Sequence, residues 1–444
     1  MQFTKIALAS AALLALASQA QAAVRISGAT ATSNNYVIAL TKMCAGENVN
    51  VFKTNATNNN LGNQFTVKCN SGNFIGADGT DSGESEAQFD LTGGSINSVL
   101  FTQEAADNGE PQAASGKFLP AGLTCTTVTG AGPLAFLGNK LRASCPSSAL
   151  VTAKSVGGFT DVEPPVFTAT GVLSSQYTYT AATFSQVFGV AASKALYEAL
   201  QAAQGLTVGS TTPANQPSIS RAKLASLMNS DNFNQAKAQG PKFLVPGTTQ
   251  TNITYCRRPN TSGTQASAQL YFMADPVATG ALGGKLTIHG PDLDGAANEV
   301  VQGVSFDASG NEVPTGNTVT FAMNSGSSNV RSCLNAAGFS FGVLSAENNP
   351  LGGSDTYRFV KISNVSMTGG VAGDSQTATA LSGDFDFVYE AALFNPQGVP
   401  LLDLINASVL TGAPTPGLFL NSFSGAPETK FGRGGNAVAP YVAN

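Results

Sequence analysis

Apolar positions recur along this chain in two rhythms, a period near two and a period near 3.6, with polar glycine-rich stretches between them. VRIS at 24–27 reads as a short strand. It runs through GATATS into a stretch that places Tyr36, Leu40, Met43 and Cys44 on one helical face, with Thr32 or Ser33 at the N-cap. Residues 48–90 are rich in Asn, Gly, Ser and Asp and read as loops with short strands. TGGSINSVLF opens a second helix, with Ile96, Val99 and Leu100 on one face. Residues 106–150 are again loop-rich. A strand over 156–160 then ends at Asp161, with Pro164 and Pro165 stopping it.

The second half has a different texture. FSQVFGVAA is a strand, and SKALYEALQAAQG is a helix closed by Gly205. SISRAKLASLMNS is another helix, with Leu224, Leu227 and Met228 on its apolar face. ITYCRRPNTSGT reads as strand, loop and helix start. Residues 283–323 alternate like β-structure around turns. SGSSNVRSCLNAAG is a loop with a helix behind it, FSFGVLS a buried strand, and FDFVYEA a further strand-like run. Strands and helices mixed in this order predict an α/β chain, and its length predicts two lobes rather than one core.

The N-terminus changes the picture of where the chain works. Lys5 is followed by a short apolar run over 6–17, and Ala20, Gln21 and Ala22 form a small-x-small cleavage pattern. Residues 1–22 are therefore expected to be a cleaved signal peptide, with no cysteine after the site to carry a lipid. The mature chain is expected to be periplasmic or secreted. Six cysteines fit an oxidising compartment. They leave many connectivities open, and pairing of sequence neighbours gives Cys44–Cys69, Cys125–Cys145 and Cys256–Cys333. No CxxC pair suggests zinc.

Charged residues are 11% of the chain and the net charge is −5, which disfavours a nucleic-acid partner. It does not disfavour an anion ligand, because a buried anion site depends on local donors and dipoles. His289 is the only histidine, and no nucleophile elbow accompanies it, so an enzyme is not expected. DLDG at 292–295 with Glu299 lacks the alternating ligands of a calcium loop and reads as a turn. No metal or cofactor is expected.

Four junctions share one design, with small residues and hydroxyls directly before a helix: GATATS (28–33), GGSINS (93–98), RRPNTSGT (257–264) and SGSSN (325–329). Any one of them alone is what an ordinary capped helix looks like. Together they offer free backbone N–H groups and Ser or Thr donors, beside one arginine and one strand-end aspartate. The guanidinium supplies a planar fork of donors suited to two oxygens of a tetrahedral oxyanion.

These motifs resemble those of the phosphate-binding proteins of bacterial periplasmic uptake systems. ISGATATS stands at that family's first donor loop and implicates Thr32 and Ser33, although Ser33 replaces an apolar aromatic position there. GGSINSV implicates Ser95, and GFTDVEP implicates Asp161. RRPNTSGT matches the family's Arg-x-x-x-Ser-Gly-Thr and implicates Arg258, Ser262, Gly263 and Thr264. AGFSFGVLS is similar to the late strand by which that family's chain returns to its first lobe.

The resemblance implies a two-lobed type II periplasmic-binding fold, with lobe I over 24–182 and 336–444 and lobe II over 183–335. Segments 48–90 and 106–150 then stand as cysteine-bearing loop insertions. It implies capture of inorganic phosphate in the cleft between the lobes and delivery to an inner-membrane ABC permease, by a monomer. Phosphate keeps a proton at neutral pH that the Asp161 carboxylate can accept, and sulfate has none to give. Two alternatives stand beside it. One is a secreted surface or matrix protein that keeps the fold with a changed or lost ligand. The other is a phosphoester hydrolase, which the scarcity of histidine and metal ligands disfavours.

Overall fold

The computed structural model describes residues 23–162, 164–169, 171–229, 235–273, 288, 298–348, 350, 354–367, 385–408 and 418–420. The expected signal peptide, His289 and the turn at 292–295 lie outside these residues.

The chain is mixed α/β, built on one large mixed sheet. Thirteen strands follow one another across it. They are β1 (Val24–Gly28), β2 (Val49–Lys53), β3 (Gln64–Cys69), β4 (Glu86–Asp90), β5 (Thr126–Val128), β6 (Leu141–Ala143) and β7 (Gly157–Thr160). Then come β8 (Thr180–Ala192), β9 (Asn252–Arg257), β10 (Glu299–Phe306), β11 (Glu312–Met323), β12 (Phe339–Ser345) and β13 (Val388–Phe394). Their spatial order is β10-β11-β9-β12-β8-β13-β7-β1-β4-β3-β2-β6-β5.

Strand β8 joins the two halves. Its first part pairs with β13, and its end, from Phe188 to Ala192, pairs with β12, both antiparallel. Each half contains a parallel set. On one side β1 lies between β4 and β7, and on the other β9 lies between β11 and β12. Strands buried on both faces read as nearly continuous apolar runs, which is why VRIS, NITYC and FSFGVLS stand out in the sequence.

Two large cores, with a small cluster of Phe52, Leu119 and Cys145, divide the packing. One gathers around Tyr36, Phe65, Phe89 and Phe159, where Tyr36 stacks on Phe159 at 5.3 Å and on Phe89 at 5.7 Å. The other runs from Ile96, Val99 and Leu100 through Leu196 and Leu224 to Tyr255, Phe321 and Phe341.

Two regions differ from the expectation. Segment 48–90 carries β2, β3 and β4, which stand in the sheet beside β1 and are not peripheral loops. Segment 106–150 is closer to the expectation but still supplies the edge strand β5 and its neighbour β6. The prolines after Asp161 do end a strand, yet they also open a helix, Pro164–Ala169, where a missing N–H does no harm. The disulfides are Cys44–Cys69, Cys125–Cys145 and Cys256–Cys333, the neighbour pairing. Three disulfides fit an oxidising compartment, periplasmic or extracellular. No helix among the described residues is long and apolar enough to cross a membrane.

Candidate functional site

The four junctions meet at one place. Each follows the carboxyl end of a parallel strand: β1 leads to Thr30 and Thr32, β4 to Ser95, β9 to Arg258, and β11 to Ser325 and Ser327. Strand β7, parallel to β1, delivers Asp161 to the same end. Open α/β sheets place ligands outside the carboxyl ends of their strands, where the connecting loops diverge.

The close approaches here depend on glycine. Gly28 has φ +132°, and a β-carbon there would stand 2.1 Å from the Phe159 carbonyl oxygen. Gly94, with φ +120°, packs its backbone on Ser262. The two loops are laced by Ile96 N–H donating to Thr261 O at 3.2 Å and by the Thr261 hydroxyl donating to Gly93 O.

Asp161 is 2% exposed. Its Oδ1 accepts from the Ser95 hydroxyl, and its Oδ2 accepts from Thr264 Oγ1 at 3.4 Å. Ser95 Oγ in turn accepts from Gly263 N–H at 3.1 Å, at the start of the helix Gly263–Met273. Burial raises the Asp161 carboxyl above its usual range, against the lowering effects of Ser95, the Arg258 charge and Thr264.

Arg258 is equally buried. Its Nη1 donates to Thr30 Oγ1 and Ser327 Oγ, each at 3.4 Å, and its Nη2 donates to Ser325 O at 3.1 Å. Thr30 and Ser327 hydroxyls also meet at 3.1 Å. The neighbouring arginine turns elsewhere, as alternation along a strand requires. Arg257 donates from Nη2 to Asn260 Oδ1 at 2.5 Å and from Nε to Arg258 O at 3.1 Å, and so pins its own loop.

Thr32 occupies the N-cap of the helix Ser33–Met43 but makes no side-chain cap bond. Its Oγ1 is buried without a hydrogen-bond partner, and so is Tyr36 Oη one turn later. Gln265 Nε2, beside Arg258, is a third such group, while Gln265 Oε1 accepts from Arg258 N–H at 3.2 Å. Buried polar groups are ordinarily paired, and these three lack a well-formed partner within the cluster.

Of the residues picked from sequence, Thr32, Ser95, Asp161, Arg258, Ser262, Gly263 and Thr264 are all buried in this cluster. Ser262 contributes through its backbone, which Gly94 abuts. Ser33 is the outlier. It is half-buried in the first turn of its helix, with its N–H on Thr30 O at 3.3 Å. Thr30, Ser327, Tyr36 and Gln265 were not picked. Thr30 and Ser327 lay inside junctions already marked by their hydroxyls, whereas Tyr36 was legible only as a core residue.

No protein-family model, no curated protein and no solved structure matches the chain. The site is therefore read from its own geometry.

Proposed function

We propose that this is an exported solute-binding protein that captures inorganic phosphate, working with an inner-membrane ABC permease. The observation that carries the reading is the convergence of Arg258 and Asp161 in one buried cluster of hydroxyls from four separate strand–helix junctions.

The chemistry of the set favours a protonated tetrahedral oxyanion. Arg258, the hydroxyls and the helix N-termini supply donors and positive potential. Asp161 supplies an acceptor, which phosphate can satisfy with its proton and sulfate cannot. Thr32, Ser95 and Asp161 come from the segment 24–182, and Arg258, Ser262, Gly263 and Thr264 come from 183–335. The ligand thus lies between the two lobes that this reading assigns, and closure about the shared sheet buries it. Ser33, the first residue of the helix that follows the first loop, is proposed as a further donor at the half-buried margin of the set.

The disulfides and the absence of a membrane-crossing helix among the described residues agree with an exported, soluble carrier. Segments 48–90 and 106–150, which carry Cys69, Cys125 and Cys145, are where such a carrier would differ from its simplest form. The test is calorimetry of the mature chain with phosphate, sulfate and a phosphoester. Heat with phosphate, weak or no heat with sulfate and no turnover of the ester support the reading. No heat with millimolar phosphate overturns it, and hydrolysis of the ester replaces it with the enzyme alternative.

A further inference from the structure

We infer that Tyr36 is a ligand-contacting residue of this site, its hydroxyl acting with that of Thr32 on one oxygen of the bound anion. The inference rests on the phosphate reading above and adds a residue to it.

Tyr36 sits in the first turn of the helix Ser33–Met43, and its N–H donates to Thr32 O at 3.1 Å. Residues four apart share one helical face, and long side chains lean back toward the helix N-terminus. The Tyr36 ring follows that rule and covers Thr32. It is held between Phe89 and Phe159, whose ring centroids are 5.7 Å and 5.3 Å away. Phe159 lies on β7 two residues before Asp161, which follows directly after the strand's end, and Asp161 is close enough for its charge to act on the phenol. The aromatic stack therefore carries the phenol toward the end of the strand that bears Asp161.

Tyr36 and Thr32 are each 1% exposed, and both hydroxyl oxygens lack a hydrogen-bond partner. Thr32 is near enough to act on the phenol as a weak hydrogen-bond partner, but the two oxygens do not complete a well-formed hydrogen bond with each other. Burying one hydroxyl without a partner is unfavourable, and burying two side by side is worse unless a third group satisfies both. An anion oxygen accepts from two donors at once and meets that need. Burial first, and then the charges of Asp161 and Glu347, hold the phenol proton well onto its oxygen. Tyr36 thus keeps its proton at neutral pH and can donate to an anion oxygen.

The experiment compares wild type with Tyr36→Phe by titration calorimetry against inorganic phosphate, with thermal unfolding of both proteins free and phosphate-saturated. Tyr36→Phe keeps the ring stack and removes only the hydroxyl. The expected result is phosphate affinity lower by about tenfold or more, as for a lost hydrogen bond to a charged group. The melting temperature without phosphate should be unchanged or higher, because an unpaired buried oxygen has been removed. The phosphate-induced rise in melting temperature should shrink. Equal affinity in the two proteins, within twofold, overturns the inference and leaves the phosphate reading intact. A lower melting temperature without phosphate, with affinity unchanged, shows a purely structural role and also overturns it. Absence of binding by the wild type removes the phosphate reading itself, and this inference with it.

Discussion

Gly263 lies so close to Asp161 that a β-carbon in its place would stand 2.8 Å from Asp161 Cγ and 2.7 Å from Ser95 Oγ. Such distances force a shift of the carboxylate, the hydroxyl or the helix start. Replacing glycine by alanine within a helix ordinarily stabilises by about 1 kcal/mol. Overpacking a tight site costs about 1–3 kcal/mol. Gly263→Ala is therefore expected to be neutral to destabilising by about 2 kcal/mol in denaturant unfolding. In calorimetry it should weaken phosphate at least tenfold, because the Gly263 N–H, Ser95 and Asp161 chain is displaced. An alanine variant that binds as tightly as wild type would show that this approach is incidental.

Asp161 gives a pH-dependent prediction. Burial raises its folded-state pKa above the unfolded value of about 3.9. The folded chain thus holds the proton more tightly than the unfolded one. That contribution to stability is fully present below the unfolded pKa and is lost as pH rises through the folded pKa. Above the unfolded pKa, the native state without ligand bears the cost of burying this carboxyl group. Asp161→Asn should therefore melt higher than wild type at pH 7, with the difference closing toward pH 3. Its phosphate affinity should fall and its discrimination against sulfate should narrow, since the repulsive charge is gone. A lower melting temperature at pH 7 would mean that the bonds from Ser95 and Thr264 outweigh the burial.

Arg257 and Arg258 are adjacent but should respond differently. Arg258 reaches Thr30, Ser327 and Ser325 from two nitrogens, across junctions far apart in the chain. Arg258→Ala should cost about 2–5 kcal/mol of phosphate binding, as for truncation of one partner of a buried charge pair. Arg258→Lys should recover only part of it, because a single ammonium cannot span those partners as a planar fork does. Arg257 holds Asn260 and the Arg258 carbonyl, so Arg257→Ala should mainly lower the melting temperature. Calorimetry and thermal unfolding on the three variants separate the two roles.

Much of this arrangement was legible before any coordinates. Strands buried on both faces carry dense apolar runs, and helix starts carry hydroxyls and glycine, so β1, β9, β12 and the four junctions could be read directly. The disulfide partners followed sequence order because each pair closes within one region of the sheet. Short strands were expected within 48–90, but their place in the sheet was not legible, because runs such as VNVFK and EAQFD lie among Asn, Gly and Ser. Tyr36 was obscured for another reason. Its ring does belong to the core, and only the three-dimensional structure shows that its oxygen lies near Thr32 and the Asp161 charge. Sequence spacing could place Arg258 and Asp161 at strand ends, but not state that Thr30 and Ser327 would hold the guanidinium.

Glu110 anchors a surface turn, and its contribution should titrate in the opposite sense to that of Asp161. Its carboxylate accepts from the N–H groups of Ser174 and Ser175, each at 2.9 Å, from Ser174 Oγ at 3.0 Å and from Tyr177 Oη at 2.9 Å. Burial pushes Glu110 up, but these bonds outweigh it and leave the carboxyl below its usual range. A lowered folded pKa contributes stability that is present above the unfolded value, about 4.3, and lost as pH falls through the folded pKa. Glu110→Gln should destabilise by about 1.5–3 kcal/mol at pH 7, the scale of hydrogen bonds to a charged group. The difference from wild type should shrink on acidification. An undiminished difference at low pH would assign the effect to packing.

The Cys256–Cys333 bond joins β9, one residue before the arginine pair, to the helix Ser327–Asn335 that bears Ser327 at its start. It therefore sets the distance between Arg258 and one of the hydroxyls that holds it. The bridged residues are 77 apart in sequence, and closing a loop of that size stabilises by about 4 kcal/mol on the chain-entropy scale, with about 2–4 kcal/mol usual in practice. Cys125–Cys145 spans 20 residues beside the edge strand β5 and its neighbour β6, at the end of the sheet away from β9. Removing either pair as a double alanine variant should lower stability in denaturant unfolding. Removing Cys256–Cys333 should also weaken phosphate, since the helix start is freed from the arginine strand, whereas removing Cys125–Cys145 should leave affinity within twofold. Equal loss of affinity in both variants would mean that general destabilisation, and not the tie between Arg258 and Ser327, governs binding.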